Sequence, residues 1–211
     1  PEGHVILDHP QWVTQDIEGN KADANGWVYL DPGHPEVQDY VAAIVRELVN
    51  NYQIEGILID GLQYPEQGSR FGYNERALEE YRQDTGARGV PDPLDPQWLN
   101  WRREQVTKLL ARITREVKQL KPELVVSATA LASGPAPKTE EGFKFSQPYM
   151  AYLQDWLTWT EFDMADWIVL LNYCDEQTEG NRFDEWTRFA VANKYGAKMW
   201  IAVAGYRNWA I

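Results

Sequence analysis

The stretch Gly56-Ile57-Leu58-Ile59-Asp60-Gly61-Leu62-Gln63-Tyr64-Pro65 carries the strongest structural signal in the 211-residue chain. Its continuous apolar run has the length of a strand and is typical of strands buried on both faces of a helix-covered parallel sheet. A carboxylate directly after such a run is costly to bury unless it is hydrogen-bonded, paired or hydrated. We therefore predict a strand over Ile54–Asp60 with Asp60 at its carboxyl end.

Helix-like and strand-like segments alternate on both sides of this stretch. Before it, Gly26–Asp31 (GWVYLD) predicts a strand, and apolar residues recurring every three or four positions from Val37 to Tyr52 predict an amphipathic helix. After it, similar patterns predict helices over about 74–84, 97–120, 149–160 and 184–195, and strands over 124–130, 166–173 and 198–204.

This order requires repeated crossovers and therefore a parallel sheet, which is either doubly wound or closed into a barrel. The chain has no glycine-rich phosphate loop after its first strand, which disfavours a dinucleotide-binding sheet. Polar residues gather where strands end, and in a barrel these ends share one mouth. The residues in question are Asp31, Asp60, Thr129, Asn172 with Asp175, and Tyr206.

We therefore predict an α/β fold, a parallel (β/α) TIM-type barrel spanning residues 1–211 as one domain. Five strands are recognisable, or six if His4–Leu7 is extended, whereas a closed barrel of this type has eight. The expected barrel is thus incomplete. Because the chain begins at Pro1 without a methionine, we interpret it as a processed piece from which a targeting segment could have been removed.

The amino-acid composition disfavours several classes of binding partner. The net charge of −12 disfavours nucleic acid and anionic membrane surfaces. No apolar run reaches the roughly 20 residues that span a bilayer. The 10 Trp and 11 Tyr partly reflect core packing, but flat aromatic rings also suit the apolar faces of sugars. The single cysteine, Cys174, and the three histidines show no metal-ligand spacing, so neither a metal nor a cofactor is expected.

Asp60 is the leading candidate for chemistry. At a barrel mouth it can act as nucleophile, base or electrostatic stabiliser in glycoside cleavage, which needs two carboxyl groups. The alternative is a structural Asp that caps the following loop. For the second carboxyl group the candidates are Asp175 and Glu176, which otherwise belong to a solvated loop. Asp31 and Asp155 are further candidates; the alternatives are that Asp31, which precedes Pro32, only builds the turn and that Asp155 is only a solvated helix residue.

Several further residues are expected near the mouth and are predicted to bind substrate, although the aromatic ones equally suit the core. Arg103 belongs to the cluster Arg102-Arg103-Glu104, which is typical of a solvated helix face but could lean over the mouth and lower the pKa of a carboxylate. The full set is Asp31, Tyr64, Trp98, Arg103, Asn172, Tyr173 and Tyr206.

An ordered set of motifs resembles a known bacterial family. It comprises His9-Pro10-Gln11-Trp12, residues 27–37 (WVYLDPGHPEV), GILIDGLQYP, Phe71-Gly72-Tyr73 and residues 101–106 (WRREQV). Together these resemble the family 10 glycosylhydrolase-like domains over nearly the whole chain. The family strand usually reads G-I-H-x-D-x-x-x-Y-P, which matches Asp60, Tyr64 and Pro65. Leu58 stands where His is frequent, and Gln63 where Arg or an aromatic residue is frequent.

The resemblance implies a TIM-barrel glycosidase that is usually extracytoplasmic (periplasmic, secreted or at the cell surface). Some members cleave peptidoglycan glycan strands stripped of peptide, and family domains extend beyond this chain at both ends. We therefore expect an O-glycosyl hydrolase of a polysaccharide with Asp60 as nucleophile or base and Glu176 or Asp175 as acid. The alternatives are a non-catalytic carbohydrate-binding module on a degenerate barrel, and a metal-dependent deacetylase, which the histidine spacing disfavours.

Overall fold

The computed structural model describes residues 3–205, apart from the side chains of Ser69, Glu176 and Gln177. Within this range the strands are β1 (Gly56–Ile59), β2 (Val125–Leu131), β3 (Trp167–Asn172) and β4 (Lys198–Val203). The helices are α1 (Val5–Asp8), α2 (Pro35–Asn51), α3 (Glu75–Thr85), α4 (Pro96–Leu120), α5 (Glu140–Phe143), α6 (Gln147–Ala151), α7 (Trp156–Glu161), α8 (Glu176–Glu179) and α9 (Arg182–Ala192).

The strands form one parallel sheet in the order β1-β2-β3-β4. Spatial order follows sequence order, so every crossover moves to the next strand in the same direction. A doubly wound sheet reverses direction at a switch point, whereas a (β/α) barrel does not. Among the described residues β1 and β4 form the two edges, so the barrel-type sheet is open. The predicted class, an incomplete parallel (β/α) barrel, is confirmed.

The predicted number of five or six strands is wrong for the described residues, which contain four. Gly26–Asp31 joins no strand of the sheet and makes only isolated antiparallel bridges, Val13↔Leu30 and Ala22↔Val28. Its alternating pattern reflects an extended segment fastened to a neighbouring loop. His4–Leu7 is not extended either, because the His4 side chain caps the short helix α1 by accepting from the Ile6 N–H at 3.4 Å.

Several helices begin where a side chain satisfies a free N–H group or where proline needs no partner. Pro35 opens α2 and Pro96 opens α4, while the Asp95 carboxylate accepts from the Trp98 N–H at 2.9 Å. Their apolar stripes pack together and against one face of the sheet, with Val49 and Ile113 wholly buried. These two long helices therefore hold the strand ends in fixed positions.

The other face of the sheet is open. Leu58 is 53% exposed and Trp200 is 55% exposed, although both lie within strands. Side chains alternate between the two faces along a strand, so Asp60 and Thr129, which continue the Leu58 row, belong to this open face. In a barrel this is the inner face, and its carboxyl end is the mouth.

The predicted helix over 149–160 is two short helices. Between α6 and α7, Leu153 adopts a left-handed conformation (φ 53°) and Gln154 is wholly buried. The Gln154 amide accepts from the Leu131 N–H at 2.8 Å and donates to the carbonyls of Thr129 (3.2 Å) and Leu62 (3.3 Å). The helix is interrupted because this residue fastens the chain to the ends of β1 and β2.

Candidate active site

Asp60 lies directly after β1, and its side chain is exposed at the mouth. Its Oδ1 accepts a hydrogen bond from the Thr129 hydroxyl at 2.9 Å, and the Thr129 Oγ1 accepts from the Gly61 N–H at 3.3 Å. Thr129 itself is 4% exposed within β2. A rigid strand therefore orients the Asp60 carboxylate, which is what a catalytic group requires.

A cleft of about 650 Å³ opens at the carboxyl ends of β2 and β3. This volume is in the range of small-ligand sites in proteins. Asp60 is not among the residues that line this cleft; it follows Ile59, whose partner in β2 is Ala128, three residues before Leu131 on the cleft wall. The polar and aromatic residues that line the cleft are Ser133, Gln147, Tyr152, Tyr173, Glu179 and Arg182.

The segment after β3 supplies the other carboxylates of the mouth. Asp175 follows the strand as predicted, and its N–H donates to Glu179 Oε2 at 2.8 Å. Glu179 also pairs with Arg182 across one turn. Glu176 opens α8, and its side chain lies outside the described part of the chain. The structure thus brings the backbone positions of both predicted acids to the cleft and adds Glu179 as a carboxylate on its wall.

Asp31 and Tyr64 lie below the mouth rather than in it. Both are wholly buried, and the Tyr64 hydroxyl donates to Asp31 Oδ1 at 2.9 Å. Arg102, also wholly buried, donates through Nη1 to the carbonyls of Gly68 and Phe71. The structure does not support direct substrate contact by Asp31 or Tyr64, because neither has exposed surface. Their network fixes the loop that follows Asp60.

The pKa shifts of these three buried residues are consistent with a structural role. Burial raises the pKa of Asp31, and hydrogen bonds from the Gly33 N–H and Tyr64 together with the nearby Arg102 oppose this rise. Burial also raises the pKa of Tyr64 well above its usual value, with the Asp31 carboxylate adding to the rise. Burial lowers the pKa of Arg102 to about 10. The phenol therefore stays protonated at neutral pH and remains a hydrogen-bond donor.

Three other residues predicted to bind substrate have structural partners. Trp98 is wholly buried and stacks on Trp101 at 5.3 Å between ring centroids. Asn172 is 1% exposed, and its Nδ2 donates to the Phe183 carbonyl at 2.9 Å behind the sheet. Arg103 lies 3.6 Å above the Tyr149 ring, away from the mouth cleft. Their burial and their partners argue against the predicted contact with substrate.

Tyr173 fits its prediction better, because it lines the cleft and is 40% exposed. Tyr206 lies outside the described residues. Asp155 caps α7 by accepting from the Thr158 N–H at 3.3 Å, and Cys174 is a buried thiol on the cleft wall. The capping bond gives Asp155 a structural role at the start of α7, which differs from the solvated helix residue considered from sequence.

Tyr152, Gln147 and Glu179 line the cleft but were not predicted. Tyr152 and Gln147 lie in a segment whose pattern indicated a helix or an irregular loop, and neither pattern tells which side chains reach the mouth. Glu179 follows Asp175 by four residues, which is one helical turn. That spacing is the signal that could have identified it, since such pairs lie on one face of a helix.

Among the side chains that the structure describes, no group of three or more His, Cys, Asp or Glu is arranged to hold a metal ion. No helix of the described chain is both long enough and apolar enough to cross a membrane.

The family model described as "Glycosyl hydrolase-like 10" matches residues 1–199. "Glycosyl hydrolase DigH" of Escherichia coli (strain K12) is 28% identical over 212 residues, covering 96% of this chain and 43% of the relative. "Glycosyl hydrolase YngK" of Bacillus subtilis (strain 168) is 29% identical over 122 residues, covering 57% of this chain and 21% of the relative. The chain thus spans less than half the length of these relatives.

Among solved structures, a GH36 α-galactosidase, AgaA from Geobacillus stearothermophilus, superimposes with a TM-score of 0.39 at 12% identity. That match covers 95% of this chain and 26% of the enzyme. The family model, by contrast, spans nearly all of the sequence. The chain belongs to the glycosyl hydrolase-like 10 family.

Proposed function

We propose that the protein hydrolyses O-glycosidic bonds of a polysaccharide at the mouth described above, with Asp60 as nucleophile or base. The observation that carries this proposal is the exposed Asp60 carboxylate, which the Thr129 hydroxyl orients at the same edge of the sheet where a cleft of about 650 Å³ opens. Membership of the glycosyl hydrolase-like 10 family supports the reaction class.

The second carboxyl group belongs to the segment after β3. Asp175 and Glu176 remain the proposed acids, and the Asp175 N–H···Glu179 contact gives this segment a defined backbone conformation. The acid must keep its proton near neutral pH, so burial by bound substrate or a neighbouring carboxylate has to raise its pKa. A separation of about 5–5.5 Å between the two reacting carboxyl groups gives retention, and about 6.5–9.5 Å gives inversion.

The resemblance noted in the sequence leads us to extend the proposal to bacterial cell-wall glycan and to an extracytoplasmic location. Glycan strands freed of peptide are the substrate to test first. Neutral polysaccharides with other linkages serve as the comparison, because the geometry of the cleft does not identify a particular sugar.

The test is the release of reducing ends from these glycans, with binding measured in parallel. The acid is identified by comparing Asp175→Asn with Glu176→Gln. The variant that lacks the acid loses the basic limb of the pH–rate profile. The anomer formed first, read by NMR, gives the stereochemical course. Binding with no release of reducing ends overturns the proposal and favours a non-catalytic carbohydrate-binding module.

A further inference from the structure

A second cavity, of about 440 Å³, lies where residues 10–21 meet the first turns of α2 and α3. Its volume is in the range of small-ligand sites, and it shares no lining residue with the mouth cleft. Its wall carries three carboxylates, those of Glu36, Glu75 and Glu79, and two cations, Lys21 and Arg76. It is therefore a separate candidate site in which acidic groups outnumber basic ones.

Two buried polar side chains belong to the wall of this cavity. Asn74 is 6% exposed; its Oδ1 accepts from the Arg76 N–H at 3.0 Å, and its Nδ2 donates to the carbonyls of Gln11 and Val13. His34 is 3% exposed, and its Nδ1 has no hydrogen-bond partner among the residues that the structure describes. A buried nitrogen without a partner costs free energy, which a hydrogen bond to a ligand would recover.

The His34 ring adds an acceptor to the cavity rather than a positive charge. Burial lowers the pKa of His34; the Glu36 carboxylate opposes this fall, and the Arg76 guanidinium adds to it. The ring is therefore mainly neutral at pH 7, and a neutral imidazole has one nitrogen that accepts a hydrogen bond.

Two of the carboxylates are available to a ligand. The Trp12 Nε1 donates to Glu36 Oε2 at 2.8 Å, which fixes this carboxylate and leaves its second oxygen available. Glu75 is exposed at the start of α3 and forms no ion pair with any residue in the described part of the chain. The wall therefore offers hydrogen-bond acceptors that carry negative charge.

The two cations of the wall, by contrast, are already engaged. The Arg76 guanidinium pairs with Glu79 at 3.0 Å and with Glu80 at 2.5 Å. The Lys21 Nζ donates to the Pro10 carbonyl at 3.0 Å. An anionic ligand would have to compete for these groups and would also be repelled by the carboxylates of the wall.

The helix dipoles do not reverse this preference. The N-termini of α2 and α3 both face the cavity, and such ends favour negative charge. Glu36 and Glu75 lie in the first turns of these helices and already offset the two dipoles. Because the described side chains form no cluster suited to a metal ion, an organic cation fits this wall better than a metal does.

We propose that His34, Glu36 and Glu75 form a binding site for the primary ammonium group of a small organic cation. An ammonium group has three donors, which match the imidazole nitrogen and the two carboxylates of the wall. Amino sugars and alkyl diamines both carry this group. The site is independent of the proposed hydrolysis, because Asp60 does not line this cavity.

The test is calorimetric binding of putrescine and of glucosamine to the 211-residue protein at pH 7, with glucose and N-acetylglucosamine as uncharged probes. At least one amine is expected to bind, and the tighter of the two identifies the source of the ammonium group. Glucose and N-acetylglucosamine are expected to bind at least about tenfold more weakly, because they lack the charge.

Three variants locate the binding. Glu36→Gln, Glu75→Gln and His34→Ala are each expected to lower the affinity for the amine about five- to tenfold, the scale of one hydrogen bond to a charged group at a partly exposed site. Both glutamate variants alter exposed side chains, so they keep the test valid if His34→Ala fails to fold. The matched control is Glu47→Gln, which changes an exposed glutamate of α2 that does not line the cavity and leaves the affinity unchanged.

Three results overturn the site: neither amine binds, both glutamate variants bind the amine as the wild type does, or an uncharged sugar binds as tightly as the amines. A titration with calcium chloride is the further check. Calcium that binds more tightly than either amine, and loses this affinity in Glu36→Gln and Glu75→Gln, overturns the assignment to an ammonium group.

Discussion

The Tyr64 hydroxyl donates a hydrogen bond of 2.9 Å to Asp31 Oδ1, and neither side chain has exposed surface. The bond joins the loop that follows the catalytic candidate to a segment more than thirty residues earlier. Tyr64→Phe removes the donor and leaves a buried carboxylate with one partner fewer. We expect a loss of about 1–3 kcal/mol in the free energy of unfolding, measured by urea denaturation.

The matched control is Tyr52→Phe, because Tyr52 is 57% exposed. Its hydroxyl lies in water, so the same chemical change is expected to alter stability by less than about 0.5 kcal/mol. Equal stability of Tyr64→Phe and wild type would contradict a structural role for the Tyr64–Asp31 bond.

Asp31 predicts a pH dependence of stability. Burial raises its pKa above the ordinary value of 3.8. As pH rises, the unfolded chain loses this proton first, while the folded protein retains it up to the raised pKa. The contribution of Asp31 to stability is therefore fully present below about pH 4 and declines through the raised pKa. The wild-type free energy of unfolding minus that of Asp31→Asn should fall as the pH rises from about 4 through the raised pKa.

Asp16 provides the opposite control for this experiment. Burial alone would raise its pKa, but hydrogen bonds from Asn20 and Glu18 lower it below 3.8 overall. Its contribution is therefore present above pH 4 and is lost as pH falls through the lowered pKa. The corresponding difference for Asp16→Asn should be flat between pH 5 and 7. A flat profile for Asp31→Asn would argue against a raised pKa for Asp31.

Gly72 tests the packing of the loop after β1. It has φ 102°, and a Cβ there would lie 2.5 Å from the Arg102 Cδ. Gly19 has a similar φ of 90° and open space around it. Gly72→Ala and Gly19→Ala share the conformational cost of about 1–2 kcal/mol. Only Gly72→Ala adds a clash, expected to cost about 1–3 kcal/mol more. Equal losses in thermal unfolding would mean that Arg102 moves aside freely.

Thr129 tests the orientation of Asp60. Thr129→Val replaces the hydroxyl with a methyl group of similar size, so Asp60 loses its 2.9 Å donor. If the mouth is catalytic, kcat should fall about 10- to 100-fold, because a misplaced reacting group costs rates of that order. Thr114→Val is the control, since the Thr114 hydroxyl donates to the Met164 carbonyl away from the mouth. An unchanged kcat in a folded Thr129→Val protein would show that this hydroxyl is not needed for catalysis.

The residues around Asp60 show how far sequence could predict the fold. The apolar run before Asp60 indicated a buried parallel strand, because few other structures accommodate four such residues without alternation. The parallel strand and the Asp that follows it are confirmed, but the predicted burial on both faces is wrong, because side chains along β1 alternate between exposed and half-buried. The strand predicted at Gly26–Asp31 is wrong, because an extended segment held by isolated bridges has the same alternating sequence pattern as a strand. The sequence pattern of a segment does not show which other segment forms backbone hydrogen bonds with it.

From sequence, side chains could be placed at the mouth only where they follow a strand. Thr129 was expected at the mouth from its strand, and it orients Asp60. Tyr64 matched a family motif, yet its hydroxyl pairs with a buried Asp far away in sequence. Trp98 has the kind of aromatic ring that can bind a sugar, but this ring is packed against other aromatic rings inside the protein. Burial is a property of the whole fold, so side-chain chemistry alone could not distinguish core from cleft.

The most direct test of the central claim is the rate of reducing-end release by Asp60→Asn on glycan strands freed of peptide. The control is Asp8→Asn, which alters an exposed carboxylate on α1. We predict that Asp60→Asn folds, binds the glycan and loses activity by about 10³-fold or more, the scale expected when a principal catalytic group is removed. A folded Asp60→Asn protein with the activity of wild type would contradict it.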